Sequence, residues 1–253
     1  MDFLAKILAE KAKEVAAMPQ EKLCSGNVRP ASFLKKLAAE PERIHVIGEI
    51  KRASPSKGDI NPAVDILQQA ESYESGGVSA ISVLTDPVFF KGSIRDLQQV
   101  AKAVQVPVLC KDFIISEKQL IRAKNAGASL VLLIVAALSE ERLQQLYAAA
   151  CRMGLEVLVE THDSQEIGTA KKIGAKLIGV NNRDLTTFKV SLETSRKCRQ
   201  DADGRFYISE SGIRTPEDVA GLVADYHGVL VGETLMRSGD PAEVIEELRV
   251  VRR

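Results

Sequence analysis

Acidic and basic side chains stand at the end of the first strongly apolar segment of the sequence. The segment from His45 to Ile50 is rich in β-branched residues, and turn-forming residues follow it as far as Gly58. Because side chains alternate along a strand, Glu49 and Lys51 point to the same face. An acid and an amine are costly to bury without a purpose. This pair therefore indicates either a structural ion pair or a site of proton transfer.

Polar side chains also end four later apolar segments. They are Lys111 and Asp112, which Phe113 follows; Glu160; Asn181 and Arg183; and Glu210 and Ser211, which Gly212 follows. One such ending has an ordinary explanation, because strand ends face solvent, but its repetition favours one site built from several strands. Lysine and glutamate are side chains that donate and accept protons in catalysis. The sequence therefore predicts acid–base chemistry.

The elements that position these residues form a regular alternation of strands and helices. Strands are predicted at His45–Lys51, Val78–Leu84, Val106–Lys111, Ser129–Val135, Leu155–Glu160, Lys176–Asn181, Arg205–Glu210 and Gly228–Gly232. Amphipathic helices are predicted between them at Ala63–Ser75, Ile94–Val104, Glu117–Asn125, Glu140–Cys151 and Ser164–Lys172. Apolar strands that alternate with helices indicate a parallel sheet whose outer face is covered.

Two α/β architectures fit such a sheet. We predict a (β/α)8 TIM barrel, which needs eight strands and about 250 residues. A doubly wound sheet is the alternative, but no Gly-x-Gly-x-x-Gly motif follows the first strand. In a barrel the active-site residues lie at the carboxyl ends of the strands, where the polar endings described above are found.

The first 44 residues precede this pattern. They contain helical stretches at Asp2–Met18 and Ala31–Ala39, separated by a turn-rich segment with Pro19, Gly26 and Pro30. The segment is too short to hold a core of its own. We therefore predict that residues 1–44 form a helical extension packed on a barrel of residues 45–253, in a single domain, and that the first helix lies on the protein surface.

Composition argues against several classes of partner. The 253 residues include 34 basic and 34 acidic side chains, so no net field favours nucleic acid or an anionic membrane. The longest apolar run, Leu130 to Leu138, is too short to cross a bilayer, and the N-terminus lacks the apolar core of a signal peptide. We expect a cytoplasmic protein that binds neither nucleic acid nor membrane.

Cysteine and histidine spacing indicates no metal site. The four cysteines show no Cys-x-x-Cys spacing, and the three histidines are far apart, so neither a disulfide framework nor a ligand motif is predicted. His162 follows Glu160 closely but is interpreted as structural or exposed. The pair Phe89-Phe90 fits either a ring-binding pocket or ordinary packing.

Small-residue turns follow the last two predicted strands. Ser211-Gly212 and Gly232-Glu233 each precede helical sequence. Glycine lets backbone N–H groups approach an anion, and a helix N-terminus adds a favourable partial charge. The loops after strands seven and eight of such barrels frequently bind phosphate. We predict a phosphate site at Gly212, Gly232 and the backbone of Glu233, with the Glu233 carboxylate turned away.

Several of these motifs carry a family resemblance. The segment from Glu49 to Gly58, Glu-Ile-Lys-Arg-Ala-Ser-Pro-Ser-Lys-Gly, resembles the signature of the indole-3-glycerol phosphate synthase family. Further segments that resemble the family, in the expected order, are Val108–Phe113, Leu158–Glu160, Gly179–Leu185, Ser209–Ile213 and Leu230–Met236. The likeness thus extends over essentially the whole chain.

The resemblance implies a lyase of tryptophan biosynthesis that is a monomer and needs no cofactor and no metal. Its phosphorylated substrate would be 1-(2-carboxyphenylamino)-1-deoxyribulose 5-phosphate, which closes the pyrrole ring of indole with loss of CO2 and water. Lys111 matches the family's general acid, and a lysine is protonated at neutral pH. Glu160 matches the acid–base group of the dehydration, although lysines can share these proton transfers. Lys51 would meet the substrate carboxylate or phosphate.

The remaining roles implied by the resemblance concern binding and orientation. Glu49 and Glu210 would orient the lysines. Asn181 and Ser211 would hydrogen-bond the substrate, and Arg183 would support the charge network. Phe113 would form the pocket for the anthranilate ring. Ser54 and Ser56 would contact the substrate from a loop that fits either a mobile lid or a plain solvated loop.

Two other functions compete with this interpretation. Another phosphate-binding barrel enzyme, such as phosphoribosylanthranilate isomerase or the α subunit of tryptophan synthase, is the nearer one. The isomerase would need a Cys and Asp pair, but strand alternation turns Cys110 away from the barrel interior. A non-catalytic barrel that binds a phosphorylated metabolite or a protein could keep Gly212 and Gly232 without the acid–base residues. Retention of both lysines and Glu160 argues against it.

Overall fold

A closed barrel of parallel strands forms the body of the protein. The computed structural model describes residues 3–24, 31–198 and 203–252. Within them the barrel consists of β1 (His45–Ile50), β4 (Ala80–Leu84), β5 (Val108–Lys111), β6 (Leu130–Ile134), β7 (Glu156–Thr161), β8 (Leu177–Asn181), β9 (Phe206–Glu210) and β10 (Gly228–Val231). β1 pairs with both β4 and β10, which closes the barrel. The predicted fold class is confirmed.

Helices connect and flank the barrel strands. Their bounds are α1 (Phe3–Ala17), α2 (Phe33–Ala39), α3 (Ile66–Ser75), α4 (Ile94–Ala103), α5 (Glu117–Asn125), α6 (Glu140–Arg152), α7 (Ser164–Lys172), α8 (Glu193–Lys197), α9 (Pro216–Ala220), α10 (Glu233–Arg237) and α11 (Pro241–Leu248). A short hairpin, β2 (Ala53–Ser54) and β3 (Gly58–Asp59), follows β1. Within the described ranges, no helix is both long enough and apolar enough to cross a membrane.

Strand alternation divides the buried side chains between two cores. Inside the barrel, Leu109, Leu158 and Ile208 belong to one cluster of fully buried residues. Outside it, Cys110 and residues such as Leu120 of α5 belong to the larger cluster between strands and helices. The predicted outward orientation of Cys110 is confirmed. Each fully buried aliphatic side chain contributes roughly 1.5–3 kcal/mol to folding.

The amino end of the barrel is closed by α2. Phe33 and Leu37 are buried and pack with the inner cluster. The carboxylate of Glu156, at the start of β7, accepts hydrogen bonds from the backbone N–H groups of Phe33 at 3.0 Å and Leu34 at 3.1 Å. A negative charge at a helix N-terminus satisfies groups that lack a partner within the helix. The carboxyl end of the barrel is thereby left for a binding site.

Helix α1 packs across the carboxyl end of the barrel. Leu4 and Ile7 are buried along its inner face, and Lys11 is buried as well. Glu14 pairs with Arg122 of α5 at 2.9 Å, which attaches the helix to the barrel. The helix lies on the protein surface, as predicted, with its other face exposed, and its position on that surface is over the barrel mouth. The predicted turn at Gly26 and Pro30 lies outside the described residues.

Candidate active site

A cavity of about 520 Å³ opens at the carboxyl ends of the strands. The side chains and turns predicted to form the site all line it: Glu49, Lys51, Ser54, Ser56, Lys111, Phe113, Glu160, Asn181, Arg183, Glu210, Ser211, Gly212, Gly232 and Glu233. They come from most of the barrel strands and the loops that follow. The barrel register brings them together, since it places Asn181 opposite Glu210 and Glu160 opposite Gly179.

Lys111 lies among three glutamates at the centre of the cavity. Its Nζ is 3.3 Å from Glu160 Oε2 and 3.5 Å from Glu210 Oε2. Burial alone would lower the pKa of Lys111, but the charges of Glu160, Glu210 and Glu49 outweigh it and raise the pKa. Lys111 is therefore an ammonium group that faces the cavity and can donate a proton.

The two glutamates beside Lys111 differ in protonation. Burial raises the pKa of Glu210 to about 8, with the Lys111 ammonium opposing this and the charges of Glu160 and Glu49 adding to it. Burial acts in the same direction on Glu160, but Lys111 and His162 outweigh it and hold the pKa of Glu160 well below its usual range. Neighbouring carboxyl groups that share a cation commonly divide in this way. Of these two groups, Glu160 is therefore ionised at neutral pH and Glu210 is mainly protonated.

Room for the Glu210 side chain comes from a glycine on the neighbouring strand. A Cβ on Gly179 would collide with Glu210 Oε1. The Glu210 carboxyl oxygens have no hydrogen-bond partner among the described residues. A buried carboxyl group without such partners is costly and is a common feature of functional sites.

A second lysine and glutamate pair lies at the end of β1. Lys51 Nζ is 2.6 Å from Glu49 Oε1. Burial favours a raised pKa for Glu49, but the charges of Lys51 and Lys111 reverse it and lower the pKa. A Cβ at Gly232 would lie 2.6 Å from Glu49 Oε1 and 2.7 Å from Lys51 Nζ. The backbone at Gly232 therefore approaches this pair closely, which brings Lys51 to the predicted phosphate turn.

The two turns predicted to bind phosphate lie side by side. The Thr234 hydroxyl donates a hydrogen bond to the Ile213 carbonyl at 2.7 Å, which joins the turn after β10 to the turn after β9. Ser211 and Gly212 have φ angles of 67° and 89°. A left-handed conformation is strained for serine and is often found at ligand sites. The two turns are therefore neighbours in the lining of the cavity.

The Glu233 carboxylate interacts with cations at the cavity rim. It lies 3.5 Å from Lys57 Nζ and 3.3 Å from Arg237 Nε. These cations neutralise the charge that would otherwise repel an anion at the turn.

Aromatic and aliphatic side chains form the opposite wall. Phe90 and Phe113 line the cavity with ring centroids 6.1 Å apart. Phe89 instead packs against Phe3 of α1, with centroids 5.6 Å apart. Both interpretations of the pair Phe89-Phe90 thus apply, one to each ring. The Phe90 ring lines the cavity, and the Phe89 ring packs against α1.

The loop after β1 reaches over the cavity. Arg183 Nη1 donates a hydrogen bond to Ser56 Oγ at 3.0 Å, which joins this loop to the loop after β8. Arg52 forms an ion pair with Asp96 at 2.5 Å at the base of the loop. Ser54 and Ser56 are thereby held at the rim of the cavity.

Comparison with known proteins addresses the family directly. The family model described as indole-3-glycerol phosphate synthase matches residues 4–248. The chain belongs to the indole-3-glycerol phosphate synthase family. Curated relatives with this name include proteins of Listeria welshimeri, 55% identical over the full length of both chains, and Streptococcus pneumoniae, 52% identical over 98% of each chain. The predicted family, the lyase activity in tryptophan biosynthesis and the phosphorylated small-molecule substrate are confirmed.

A solved structure supports the fold alone. Thiamine phosphate pyrophosphorylase from Pyrococcus furiosus superimposes with a TM-score of 0.58 over 81% of this chain and 93% of that chain, at 17% sequence identity. The individual residue roles, the division into residues 1–44 and 45–253, the monomeric state and the cytoplasmic location stay predictions.

This indole-3-glycerol phosphate synthase family member has a second buried lysine that the sequence did not single out. Lys11 of α1 lies 2.6 Å from Glu14, 2.8 Å from Asp86 and 2.8 Å from Asp112. Asp112 directly follows Lys111, so this cluster attaches α1 to the end of the strand that carries the predicted general acid. Lys11 is one of several lysines in an amphipathic helix, and nothing in the sequence distinguished it as the buried one.

His162 was interpreted from the sequence as structural or exposed. In the folded protein its Nε2 lies 3.5 Å from Glu160 Oε1, and its Nδ1 lies 3.0 Å from Glu166 Oε2. The spacing of two residues from Glu160 was the available signal, since alternate residues share one face of a strand.

Proposed function

We propose that Lys111 and Glu160 perform the proton transfers by which the chain converts 1-(2-carboxyphenylamino)-1-deoxyribulose 5-phosphate into indole-3-glycerol phosphate. The observation that carries this assignment is the contact of 3.3 Å between Lys111 Nζ and Glu160 Oε2 inside the cavity. An ammonium acid and a carboxylate base are thus held side by side, between an apolar wall and two anion-binding turns.

The cavity accommodates the three parts of the substrate at separate places. The apolar wall of Phe90 and Phe113 suits the anthranilate ring, whose burial contributes on the order of 2 kcal/mol. The phosphate fits the turns at Gly212 and Gly232, where backbone N–H groups and the positive end of α10 face it. Lys51 lies beside the Gly232 turn and carries the opposite charge to the substrate anions.

Ring closure is the first chemical step. The ring carbon that bears the carboxylate attacks the C2 carbonyl carbon of the ribulose chain, and the carbonyl oxygen takes a proton from the Lys111 ammonium. The new C–C bond thereby leaves a hydroxyl group instead of an alkoxide. A positioned general acid accelerates such a step by about 10²–10⁴-fold.

Decarboxylation and dehydration complete the ring. Loss of CO2 leaves its bonding electron pair in the six-membered ring and restores its aromaticity. The intermediate then loses its hydroxyl group, with a proton, as water, and it gives up a second proton to form the pyrrole double bond. Glu160 accepts that second proton, for which its lowered pKa keeps it ionised. The Glu210 acid supplies the proton of the water, because Lys111 has already given its proton to the carbonyl oxygen during ring closure, and solvent returns one proton to the site after each turnover.

Polar residues around this pair orient the acid, the base and the substrate. The Asn181 amide lowers the pKa of Glu160, and its Oδ1 accepts a hydrogen bond from the Arg183 N–H at 3.0 Å. The strained backbone at Ser211 aims this residue into the cavity. We assign to Asn181 and Ser211 the hydrogen bonds to substrate hydroxyl or phosphate oxygens, and to Arg183 the anchoring of the loop that holds Ser56.

The test is the activity of a Lys111→Ala variant. The chain has no tryptophan, so emission from the indole product is measured against tyrosine alone. On mixing with the carboxyphenylamino-deoxyribulose phosphate, we expect the native protein to produce indole fluorescence and the variant to lose about 100-fold or more in kcat. KM should change little, because the lysine acts on the reacting carbonyl.

The controls separate the reaction from the assignment. A Lys57→Ala variant removes a cation from the cavity rim and should keep kcat within about threefold, since Lys57 pairs with Glu233 at 3.5 Å and does not touch Lys111. Equal kcat in the native protein and Lys111→Ala would remove Lys111 as the acid. No product from well-folded native protein would contradict the activity itself.

A further inference from the structure

His162 lies directly behind the predicted base, outside the cavity. It occupies the connection between β7 and α7, and its side chain is 16% exposed. Glu166, in the first turn of α7, accepts hydrogen bonds from the His162 backbone N–H at 2.8 Å and holds the ring Nδ1 at 3.0 Å. The backbone and the ring of His162 are therefore both fixed by the same carboxylate.

The ring nitrogens of His162 both face carboxylate oxygens. Nδ1 lies against Glu166 Oε2, and Nε2 lies 3.5 Å from Glu160 Oε1 with no hydrogen-bond partner among residues 3–24, 31–198 and 203–252. A carboxylate oxygen only accepts hydrogen bonds, and a neutral imidazole has an N–H on one nitrogen only. The doubly protonated imidazolium is the form that matches both neighbours.

The Glu160 oxygens are thereby divided between two cations. Oε1 faces His162 and Oε2 faces Lys111 at 3.3 Å. His162 does not line the cavity, whereas Glu160 does. Any influence of His162 on the substrate must therefore pass through Glu160.

We propose that His162, as an imidazolium between Glu166 and Glu160, is a positioning residue that fixes Glu160 Oε1, keeps this carboxylate ionised and directs Oε2 toward Lys111 and the substrate. This inference rests on the proposed role of Glu160 as the base. The distance of 3.5 Å is longer than a hydrogen bond. Catalytic hydrogen bonds are often long without substrate and shorten in the reacting complex.

The surrounding charges support the cationic form. Burial alone would lower the pKa of His162, but Glu160 and Glu166 outweigh it and raise the pKa to about 10. Asp184, in the loop after β8, interacts favourably with His162 across the site. The Lys111 ammonium faces the other side of Glu160. Three acidic groups from three segments thus interact favourably with the His162 imidazolium.

The experiment measures His162→Gln alone and in a Glu160→Gln background. Because the variant removes a cation beside Glu160, we expect the acid limb of its kcat profile to move to higher pH by about one unit. We expect kcat near neutral pH to fall about tenfold, with KM within about threefold. In the Glu160→Gln background, the same substitution should change kcat by less than about twofold, since the group that it acts through is absent.

Two further variants serve as comparisons for the shift of the acid limb, one with a smaller expected shift and one with none. Glu166→Gln keeps the shape of the anchor but removes its charge, so its acid limb should move in the same direction by a smaller amount. His227→Gln removes a partly buried histidine whose Nδ1 accepts a hydrogen bond from the Tyr207 N–H at 3.1 Å, at the other end of β9 from Glu210. The acid limb of its kcat profile should coincide with that of the native protein.

The outcomes separate this inference from the proposed function. An unmoved acid limb in His162→Gln, or the same loss of kcat in both backgrounds, would overturn the positioning role while the role of Glu160 stands. Native activity in Glu160→Gln would overturn the proposed base and the inference with it.

Discussion

The chain contains two buried lysines that each face three acidic side chains, and their surroundings differ. Lys11 Nζ lies 2.6–2.8 Å from Glu14, Asp86 and Asp112, and the residue is 1% exposed. Lys111 Nζ lies 3.3 Å from Glu160 and 3.5 Å from Glu210, and its side chain is 14% exposed. The first set of contacts is short and closed, and the second is longer and open to the cavity.

The acidic partners of the two lysines also differ in how well they are hydrogen-bonded. In the Lys11 cluster, Asp112 accepts hydrogen bonds from the Thr85 hydroxyl at 2.6 Å and the Phe113 N–H at 2.8 Å, and Asp86 accepts one from the Phe89 N–H at 2.6 Å. Around Lys111, the described residues offer the Glu210 oxygens no hydrogen bond.

The comparison separates an ion cluster that holds two elements together from the cluster to which we assign the proton transfers. A buried charge is stabilised when every donor and acceptor has a partner at short distance, and such a cluster has little capacity to exchange protons. Longer contacts leave donors and acceptors free for substrate. Both lysines have raised pKa values despite the opposing effect of burial, so charge state alone does not distinguish them.

The largest effect is expected for Lys11→Met. This substitution leaves Asp86 and Asp112 buried without their cation, and removal of one partner from a buried ion cluster costs roughly 3–5 kcal/mol. We expect that loss in the free energy of unfolding, measured by urea denaturation at neutral pH. The substitution also weakens the attachment of α1, which carries Leu4 and Ile7 into the cavity wall, so KM should rise.

Lys111→Met is the matched control for that experiment. It removes the same side chain from a site that opens to water, where Glu210 already holds a proton near neutral pH. The free energy of unfolding should fall by less than in Lys11→Met, because the Lys111 contacts are longer and open to the cavity, while the activity is lost. An equal loss of stability in both variants would break the distinction between the two clusters.

A smaller effect is expected for Glu210→Gln, in the pH dependence of stability. The pKa of Glu210 is about 8 in the folded protein and about 4.5 for an ordinary glutamate. A raised pKa stabilises the folded state below pH 4.5, and that contribution is lost as the pH rises through 8. The midpoint temperature of thermal unfolding (Tm) should therefore decrease less steeply between pH 4.5 and 8 in the variant than in the native protein.

Glu160→Gln should change the pH dependence of stability in the opposite direction. Because the pKa of Glu160 is lowered in the folded protein, its contribution to stability is present above pH 4.5 and is lost as the pH falls below it. The Glu160→Gln curve should differ from the native one mainly on the acid side. If both variants changed the same pH range, the assigned division between acid and base would be wrong.

The smallest effect is expected for Thr85→Val. The substitution preserves the shape of a buried side chain and removes its hydrogen bond to Asp112 at 2.6 Å. Loss of a hydrogen bond to a charged group costs roughly 1.5–3 kcal/mol. Thr161→Val, which removes a bond of 2.7 Å to the neutral Gly179 carbonyl, should cost about 1 kcal/mol. Equal unfolding free energies for the two variants would show that the Asp112 contact carries no extra stabilisation.

Much of the barrel could be predicted because its signals are local. Apolar runs ended by glycine or charged residues located every barrel strand, and each strand bound lies within two residues of the predicted one. No bounds were predicted for helices α8 to α11, although helical sequence was expected after Gly212 and Gly232, because one or two turns give too little periodicity to locate the ends of a helix. The hairpin β2–β3 was likewise hidden in a sequence of turn-forming residues.

The sequence alone established which side chains face the barrel interior, because side chains alternate along each strand. The polar residues at the strand ends therefore identified the lining of the cavity. Alternation depends only on backbone geometry, so each strand carries the information by itself. Only the tertiary structure decided that α1 covers the mouth, that Lys11 joins acids some 75 and 101 positions away at Asp86 and Asp112, and that His162 stands behind Glu160. It also decided which glutamate holds a proton, because pKa values depend on burial and on charges brought together by barrel closure.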